Sequence, residues 1–304
     1  MWASNDVHAE ERWQGNAQFL RKNPSLTNRK RTENSAPSDF PKGTTEATTS
    51  GWHGYQPVVP LGDGSHSPQN VALTSFFLGV GAGVGAVWFG WVCLSSAQGA
   101  TGWMSSPPSF IDALANLGFA LLAVSCYHFL EYIVTVLYNP TRASYDSFMF
   151  SPDPEGRFLW ALGVALLEFL VEAYYAPWLK LGRLTWYMGI GFMILGQMCR
   201  SLAMITASQS FNHYIAEYKT TDHVLITHGI YRFVRHPSYL GFFLWAVGLQ
   251  IYLANPISWI GYVIVLSKFF YDRIPYEEEY LVQFFGEDYV NYKATTAALV
   301  PFLL

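Results

Sequence analysis

The sequence predicts an all-α integral membrane protein with about six transmembrane segments, the last two forming a tight helical hairpin. Three observations lead there. Of 304 residues, 51% are apolar and 17% aromatic, while only 13% are charged, about half the usual charged share of a soluble domain. The charge is also segregated: the first seventy residues hold seven of the eighteen Lys and Arg and seven of the twenty-two acids. The rest of the chain reads as apolar runs of helical length separated by short polar stretches with Pro, Gly or Asn, the layout of a multi-pass protein.

Residues 1–70 are rich in Ser, Thr, Asn, Pro and Gly and show no apolar period. Such a stretch buries too little surface to offset the entropy of ordering, so a disordered polar leader is expected, with the membrane-embedded domain over 71–304. No apolar core follows its basic residues and it contains acids, which excludes a secretory signal and argues against a transit peptide. Arg29-Lys-Arg31 is read as an exposed basic flank rather than a lipid-binding or targeting motif.

The first run, Val71 to Ser95, is uncharged and long enough as a helix to cross about 30 Å of hydrocarbon. Gly79 with Gly83 and Gly81 with Gly85 form interleaved small-x-x-x-small pairs, which let a neighbouring helix approach closely. That neighbour is expected within this chain, with a second copy as the other partner open to it.

After Pro107-Pro108 comes Phe110 to Tyr138, stopped by Asn139-Pro140. His128 and Glu131, three apart on one face, are either a structural pair or ligand contacts; spacing does not decide. The third span is expected from Arg157 to Trp178 with Glu168 inside it, and the fourth from Leu184 to Thr206 with Arg200 near its end. Lys180-Leu-Gly-Arg183 is a short link that makes these two antiparallel neighbours.

Residues 207–237 are the one substantial polar stretch between spans. Phe211, Tyr214, Ile215 and Tyr218 keep a helical spacing, and His223-Val-Leu-Ile-Thr-His228-Gly229 reads as extended before a turn. His236 precedes Pro237 and so should stand at the start of the next helix, whose free N–H groups and partial positive charge face whatever binds there. Ser238 to Ala254 and Ile257 to Ile274, joined at Asn255-Pro256, are barely long enough to span and fit a hairpin that returns Glu277 to Arg235 and His236.

Counting basic residues with the N-tail in the cytosol leaves only Lys180 and Arg183 outside, so six segments with both termini cytosolic satisfy the positive-inside bias. The charged rim then faces the cytosol. Cys93, Cys126 and Cys199 all fall in apolar spans, which argues against a disulfide framework, and no Cys-His spacing suggests zinc. The chain ends Pro301-Phe-Leu-Leu304 without a lipidation cysteine. No nucleic-acid partner is expected.

The informative pattern is Gly229-x-Tyr231, Arg235-His-Pro-Ser-Tyr239 and Gly241, then a hairpin, then Glu277-Glu278, Leu281, Phe285-Gly286 and Tyr289. Too many ionisable groups gather at an apolar rim to lack a ligand or partner. With Arg200, Phe211-Asn-His213 and His128-x-x-Glu131, the pattern strongly resembles the isoprenylcysteine carboxyl methyltransferases, over roughly residues 71–302. Without the resemblance Arg200 would be read as snorkelling to the interface; with it, Arg200 turns toward the site.

The resemblance implies S-adenosylmethionine as cofactor, bound through His223, Val224, Leu225, Ile226 and Tyr231, then His236, Pro237, Ser238 and Tyr239, and closed by Glu277. It implies that Arg273 contacts substrate with Arg200 nearby, making Arg200, Arg273 and Glu277 the catalytic candidates. Ala216 stands where some members carry a glutamine, so no side-chain contact to the cofactor is implied there. The implied substrates are C-terminally prenylated, proteolysed CaaX proteins of the small GTPase or mating-factor kind, at the endoplasmic reticulum membrane.

The chemistry suits those residue types. A carboxylate is already ionised at neutral pH, so methylating it needs no general base. Holding two ligands in line without water is worth up to about 7–11 kcal/mol. Arg273 and Glu277, four apart, share a face on which they pair with each other or bracket a ligand; arginine clamps a carboxylate bidentately, and glutamate takes an ammonium or ribose. No Gly-x-Gly-x-x-Gly follows a predicted strand, which excludes the common soluble cofactor fold. The other classes weighed are a phospholipid or small-lipid methyltransferase and a transporter or scaffold that uses the buried charges as an ion path.

Overall fold

The computed structural model describes residues 68–97, 109–149, 157–220 and 223–299. The leader reading of 1–67, the Pro107-Pro108 loop, the Cys93 side chain and the C-terminal Pro301–Leu304 lie outside the described residues. Within them are seven α-helices and no strand: α1 Pro68–Ala97, α2 Phe110–Tyr138, α3 Arg157–Tyr175, α4 Arg183–Ala207, α5 Pro237–Tyr252, α6 Pro256–Phe285 and α7 Glu287–Thr295.

Local signals set several of these boundaries. Ser109 starts α2 with a capping box in which its side chain and that of Asp112 satisfy each other's backbone N–H, the reciprocal arrangement that ends a helix cheaply. Asn139-Pro140 stops α2, and Pro237 and Pro256 occupy the first turns of α5 and α6, where a missing N–H costs nothing. Gly286 closes α6 at φ 59°, a left-handed conformation that suits glycine.

By length and apolar composition α1, α2 and α4 can each cross a membrane. Their outward faces carry exposed large side chains such as Val87, Trp91, Leu137 and Tyr187, a surface made for hydrocarbon. At 16 residues α5 rises about 24 Å, whereas the 30 residues of α6 rise about 45 Å. The hairpin is therefore asymmetric: α6 continues past Ile274, through Pro275, for eleven more residues. Proline removes one ladder bond, and contacts from Arg273 and Glu277 to Tyr239 of α5, and from Glu278 to Arg235 just before it, hold the helix across it.

Glycine governs the closest helix approaches. A Cβ on Gly85 would lie 2.5 Å from the Gly118 carbonyl oxygen, and one on Gly196 would lie 2.6 Å from the Gly241 carbonyl oxygen. So α1 packs on α2, and α4 on α5, backbone to backbone. The Gly81 and Gly85 pair is used within the chain as expected, whereas a Cβ on Gly79 or Gly83 would meet no neighbouring element within 4 Å among the described residues. Behind these contacts Tyr127, Phe169, Trp245 and Tyr252 form the core, with the Tyr127 and Trp245 rings 4.3 Å apart.

At the end away from the motif, Lys180 is wholly buried rather than a loop cation. Its ammonium pairs with Glu172 at 2.5 Å and donates to the Leu253 and Ala254 carbonyls and Asn255 Oδ1 at 3.1, 2.9 and 2.9 Å. Glu168 accepts from the N–H groups of Ile257 and Ser258, both at 2.7 Å, capping α6. These charges lock the hairpin turn to α3 and its following loop. Burial lowers the Lys180 pKa, and the Glu172 hydrogen bond opposes that shift.

Candidate active site at the start of the hairpin

Arg200 sits two turns before the end of α4, where glycine packing presses α5 against it. Its Nε donates to Glu131 Oε1 at 2.6 Å and its Nη1 donates to Ser238 Oγ at 2.8 Å, with both charged side chains buried. Arg200 thus faces inward, and Glu131 belongs to it. His128 instead donates through Nδ1 to the Phe148 carbonyl at 2.7 Å. His128 and Glu131 take separate partners, so the direct pair that was one of the two sequence readings is replaced by Phe148 for the one and Arg200 for the other.

The second group is a relay across the hairpin. Arg273 Nε donates to Tyr239 Oη at 2.8 Å, and Tyr239 Oη donates to Glu277 Oε2 at 2.6 Å. Spacing leaves direct pairing or bracketing of a ligand open for Arg273 and Glu277; in the structure a hydroxyl from α5 stands between them. Arg273 Nη2 also donates to the His213 carbonyl at 3.0 Å, and its guanidinium lies over the Tyr239 and Phe269 rings. The Tyr239 ring is stacked between His236 and Phe270, 5.5 and 5.0 Å away. Every degree of freedom of that hydroxyl is therefore constrained.

The third group centres on Glu278, which the sequence reading left without a role. Its Oε1 accepts from Arg235 Nε at 2.6 Å and from His236 Nε2 at 3.0 Å, and its Oε2 pairs with Lys293 at 2.7 Å. Burial would raise the Glu278 pKa, but hydrogen bonds from His236, Lys293 and Arg235 outweigh it and hold the carboxyl well below the usual range. The acid returned to Arg235 and His236 is thus mainly Glu278; Glu277 stays 3.8 Å from His236 Nδ1. The resemblance singles out Glu277 and assigns no role to Glu278, whose burial is set by Arg235, His236 and Lys293.

The loop segments complete the site. Residues 211–220 form no helix despite their apolar spacing; Asn139 anchors the Phe211 carbonyl at 2.9 Å and Lys219 caps the end of α6 through the Phe284 carbonyl at 2.6 Å. Thr135 Oγ1 gives its proton to the Glu131 carbonyl, so His213 Nε2 donates to that oxygen at 3.3 Å. Burial and then Arg200 push the His213 pKa down to about 3, leaving a neutral ring at physiological pH. His223 packs its ring on Phe284 and Phe285, and burial, with Arg142 and Lys219, lowers its pKa. Burial and the Glu277 charge raise that of Tyr231.

Of the sequence-predicted residues, His236, Pro237, Ser238, Tyr239, Arg200, Arg273 and Glu277 converge at the first turn of α5. His223 and Tyr231 lie close enough to feel the Glu277 charge. Leu225 and Ile226 are half-buried, and Val224 is exposed. Among the described residues no group of three or more His, Cys, Asp or Glu side chains is arranged to hold a metal. Cys126 and Cys199 are free thiols.

The model of the isoprenylcysteine carboxyl methyltransferase family matches residues 189–283, from α4 into the last turn of α6. The chain is 42% identical over 194 residues to the protein-S-isoprenylcysteine O-methyltransferase of Saccharomyces cerevisiae, covering 62% of this chain and 80% of that protein. It is 42% identical over 192 residues to the Dictyostelium discoideum protein of the same name, covering 63% and 80%. A solved structure of a eukaryotic intramembrane Ras methyltransferase, itself an isoprenylcysteine carboxyl methyltransferase, is similar with a TM-score of 0.67 at 31% identity over 77% of each chain. Helical membrane fold and charged hairpin site together define an integral-membrane methyltransferase. The chain belongs to the isoprenylcysteine carboxyl methyltransferase family.

Proposed function

We propose that this enzyme uses S-adenosylmethionine to methyl-esterify the C-terminal S-prenylcysteine carboxylate of processed CaaX-type proteins at the cytosolic face of the endoplasmic reticulum membrane. The observation that carries the reading is the relay Arg273, Tyr239, Glu277, which sets a cation and an anion on opposite sides of one fixed hydroxyl. Two ligands of opposite charge need such a division. The names of the relatives supply the substrate class.

The residues fit that cofactor. Glu277 keeps its Oε1 without a partner among the described residues and its side chain is 26% exposed, so it can accept an ammonium or ribose hydroxyl. Leu225 and Ile226, both half-buried, offer apolar surface for a purine. When bound, the cofactor supplies a sulfonium methyl, which moves to a carboxylate oxygen as the carbon–sulfur bond breaks and the carbon–oxygen bond forms. Arg273 holds and orients that carboxylate; Arg200, committed to Glu131 and Ser238, sets the position of Ser238 and the first turn of α5 beside it. The prenyl chain is held by the surrounding apolar helices at about 0.8 kcal/mol per buried methylene.

The test is transfer of a labelled methyl from S-adenosylmethionine, in membranes carrying this protein, to N-acetyl-S-farnesylcysteine and separately to phosphatidylethanolamine. Base-labile label on the former is expected. Label on the lipid alone would replace the reading with a phospholipid methyltransferase, and label on neither would remove the enzymatic reading.

A further inference from the structure

We propose that α7 and the residues just after it form a clasp that sets the width of the methyl-donor pocket without touching the donor, with Tyr292 and Lys293 as its positioning residues. The inference rests on the donor site read above.

Nine residues make α7 too short to hold its helix alone in water, so its attachments decide where it lies. Tyr292 Oη donates to the Tyr231 carbonyl at 2.6 Å, and Lys293 pairs with Glu278 Oε2 at 2.7 Å. Just beyond, the Thr296 carbonyl accepts from Arg235 Nη1 at 2.7 Å and the Ala297 carbonyl accepts from the Arg235 backbone N–H at 3.0 Å. Those four bonds tie α7 and its tail to three segments around the donor site read above: the Tyr231 turn, the residues just before α5 and the extension of α6.

None of them uses a side chain assigned to ligand. Tyr231 is held by its carbonyl, while its hydroxyl donates to the Ala203 carbonyl at 3.4 Å. Glu278 divides its oxygens, one to Arg235 and His236, the other to Lys293. Removing Lys293 unbalances a carboxylate that is 4% exposed, so Glu278 and the His236 ring it holds both shift. Arg273 takes its partners from Tyr239 and His213, away from α7. The clasp should therefore act chiefly on donor affinity, because Tyr239, which carries Arg273, is held by Phe270 and Glu277 as well as by the His236 ring. Both positions lie beyond the residues matched to the family, 189–283.

The full-length protein in detergent micelles is to be compared with Tyr292→Phe, Lys293→Met and Lys293→Arg, measuring S-adenosylmethionine affinity by calorimetry and the Michaelis constant for N-acetyl-S-farnesylcysteine. Loss of one hydrogen bond should weaken donor binding about fivefold to tenfold in Tyr292→Phe and Lys293→Met, with the farnesyl constant unchanged and Lys293→Arg within about twofold of wild type. Tyr292→Phe keeps the ring in place, so the test stands even if Lys293→Met fails to fold. Unchanged donor affinity, or a parallel rise in both constants, would overturn the clasp while leaving the site intact. No donor binding by the wild-type protein would instead overturn the site reading on which the clasp depends.

Discussion

Tyr239 and Arg273 meet at 2.8 Å, phenol oxygen to guanidinium Nε, and the same phenol passes its proton toward Glu277 at 2.6 Å. One hydroxyl therefore fixes two side chains of α6 from across the hairpin. Tyr239→Phe keeps the ring stacked on His236 and Phe270 but removes that link. It should fold normally and lose about tenfold or more in kcat/KM for both ligands; steady-state kinetics with each ligand varied in turn would show a one-sided loss if the relay were not shared.

Glu131 and Arg200 are a buried pair, and removing one partner strands the other. Glu131→Ala should cost about 3–5 kcal/mol of stability, visible as a large drop in thermal unfolding temperature in detergent. Replacing both residues with methionine should recover much of that stability without recovering activity. Restored activity in the double variant would reduce the pair to packing.

Acid should destabilise the protein in two stages. His213, near 6.5 when unfolded and about 3 when folded, binds more protons in the unfolded state between those values. Its contribution is complete above about pH 6.5 and is lost as pH falls toward 3. Glu278, also held below its ordinary value of 4.5, has the same sign and acts below that pH. Unfolding temperature should decline from pH 7 to pH 5, and His213→Phe should flatten this first stage; an unchanged slope in the variant would assign the decline to another group.

Residues 1–65 are read from composition as a polar leader and lie outside the described residues. On that reading of composition, their deletion should leave methyl transfer within about twofold of the full chain. Loss of turnover with an unchanged unfolding temperature would give the leader a functional role.

Much of this was legible in one sequence, and the exceptions have physical causes. The bounds of α2, Phe110 to Tyr138, are carried by Ser109 and Asn139-Pro140, local signals that need no fold. The convergence of Arg235, His236 and Tyr239 with the two glutamates follows from a hairpin of helical length. The shared face read for Arg273 and Glu277 already requires helix across Pro275, but its full extent to Phe285 is not readable, because hydropathy ends at Ile274. Helical spacing from Phe211 to Tyr218 misled for the opposite reason, since Asn139 and Arg273 capture that backbone in an irregular path. Glu278 and Lys180 were missed in their roles because burial of a charge is decided by partners remote in sequence, Lys293 for the one and Asn255 for the other.

The decisive comparison is between Arg273→Ala and Glu277→Gln, each assayed for S-adenosylmethionine affinity by calorimetry and for the Michaelis constant of N-acetyl-S-farnesylcysteine. Loss of a charged hydrogen bond is worth about 1.5–3 kcal/mol, so each constant should move by about tenfold or more in one variant only. Arg273→Ala should raise the farnesylcysteine constant and Glu277→Gln should weaken the donor. Equal donor affinity in wild type and Glu277→Gln, or an unaltered farnesylcysteine constant in Arg273→Ala, would contradict the division of labour across Tyr239.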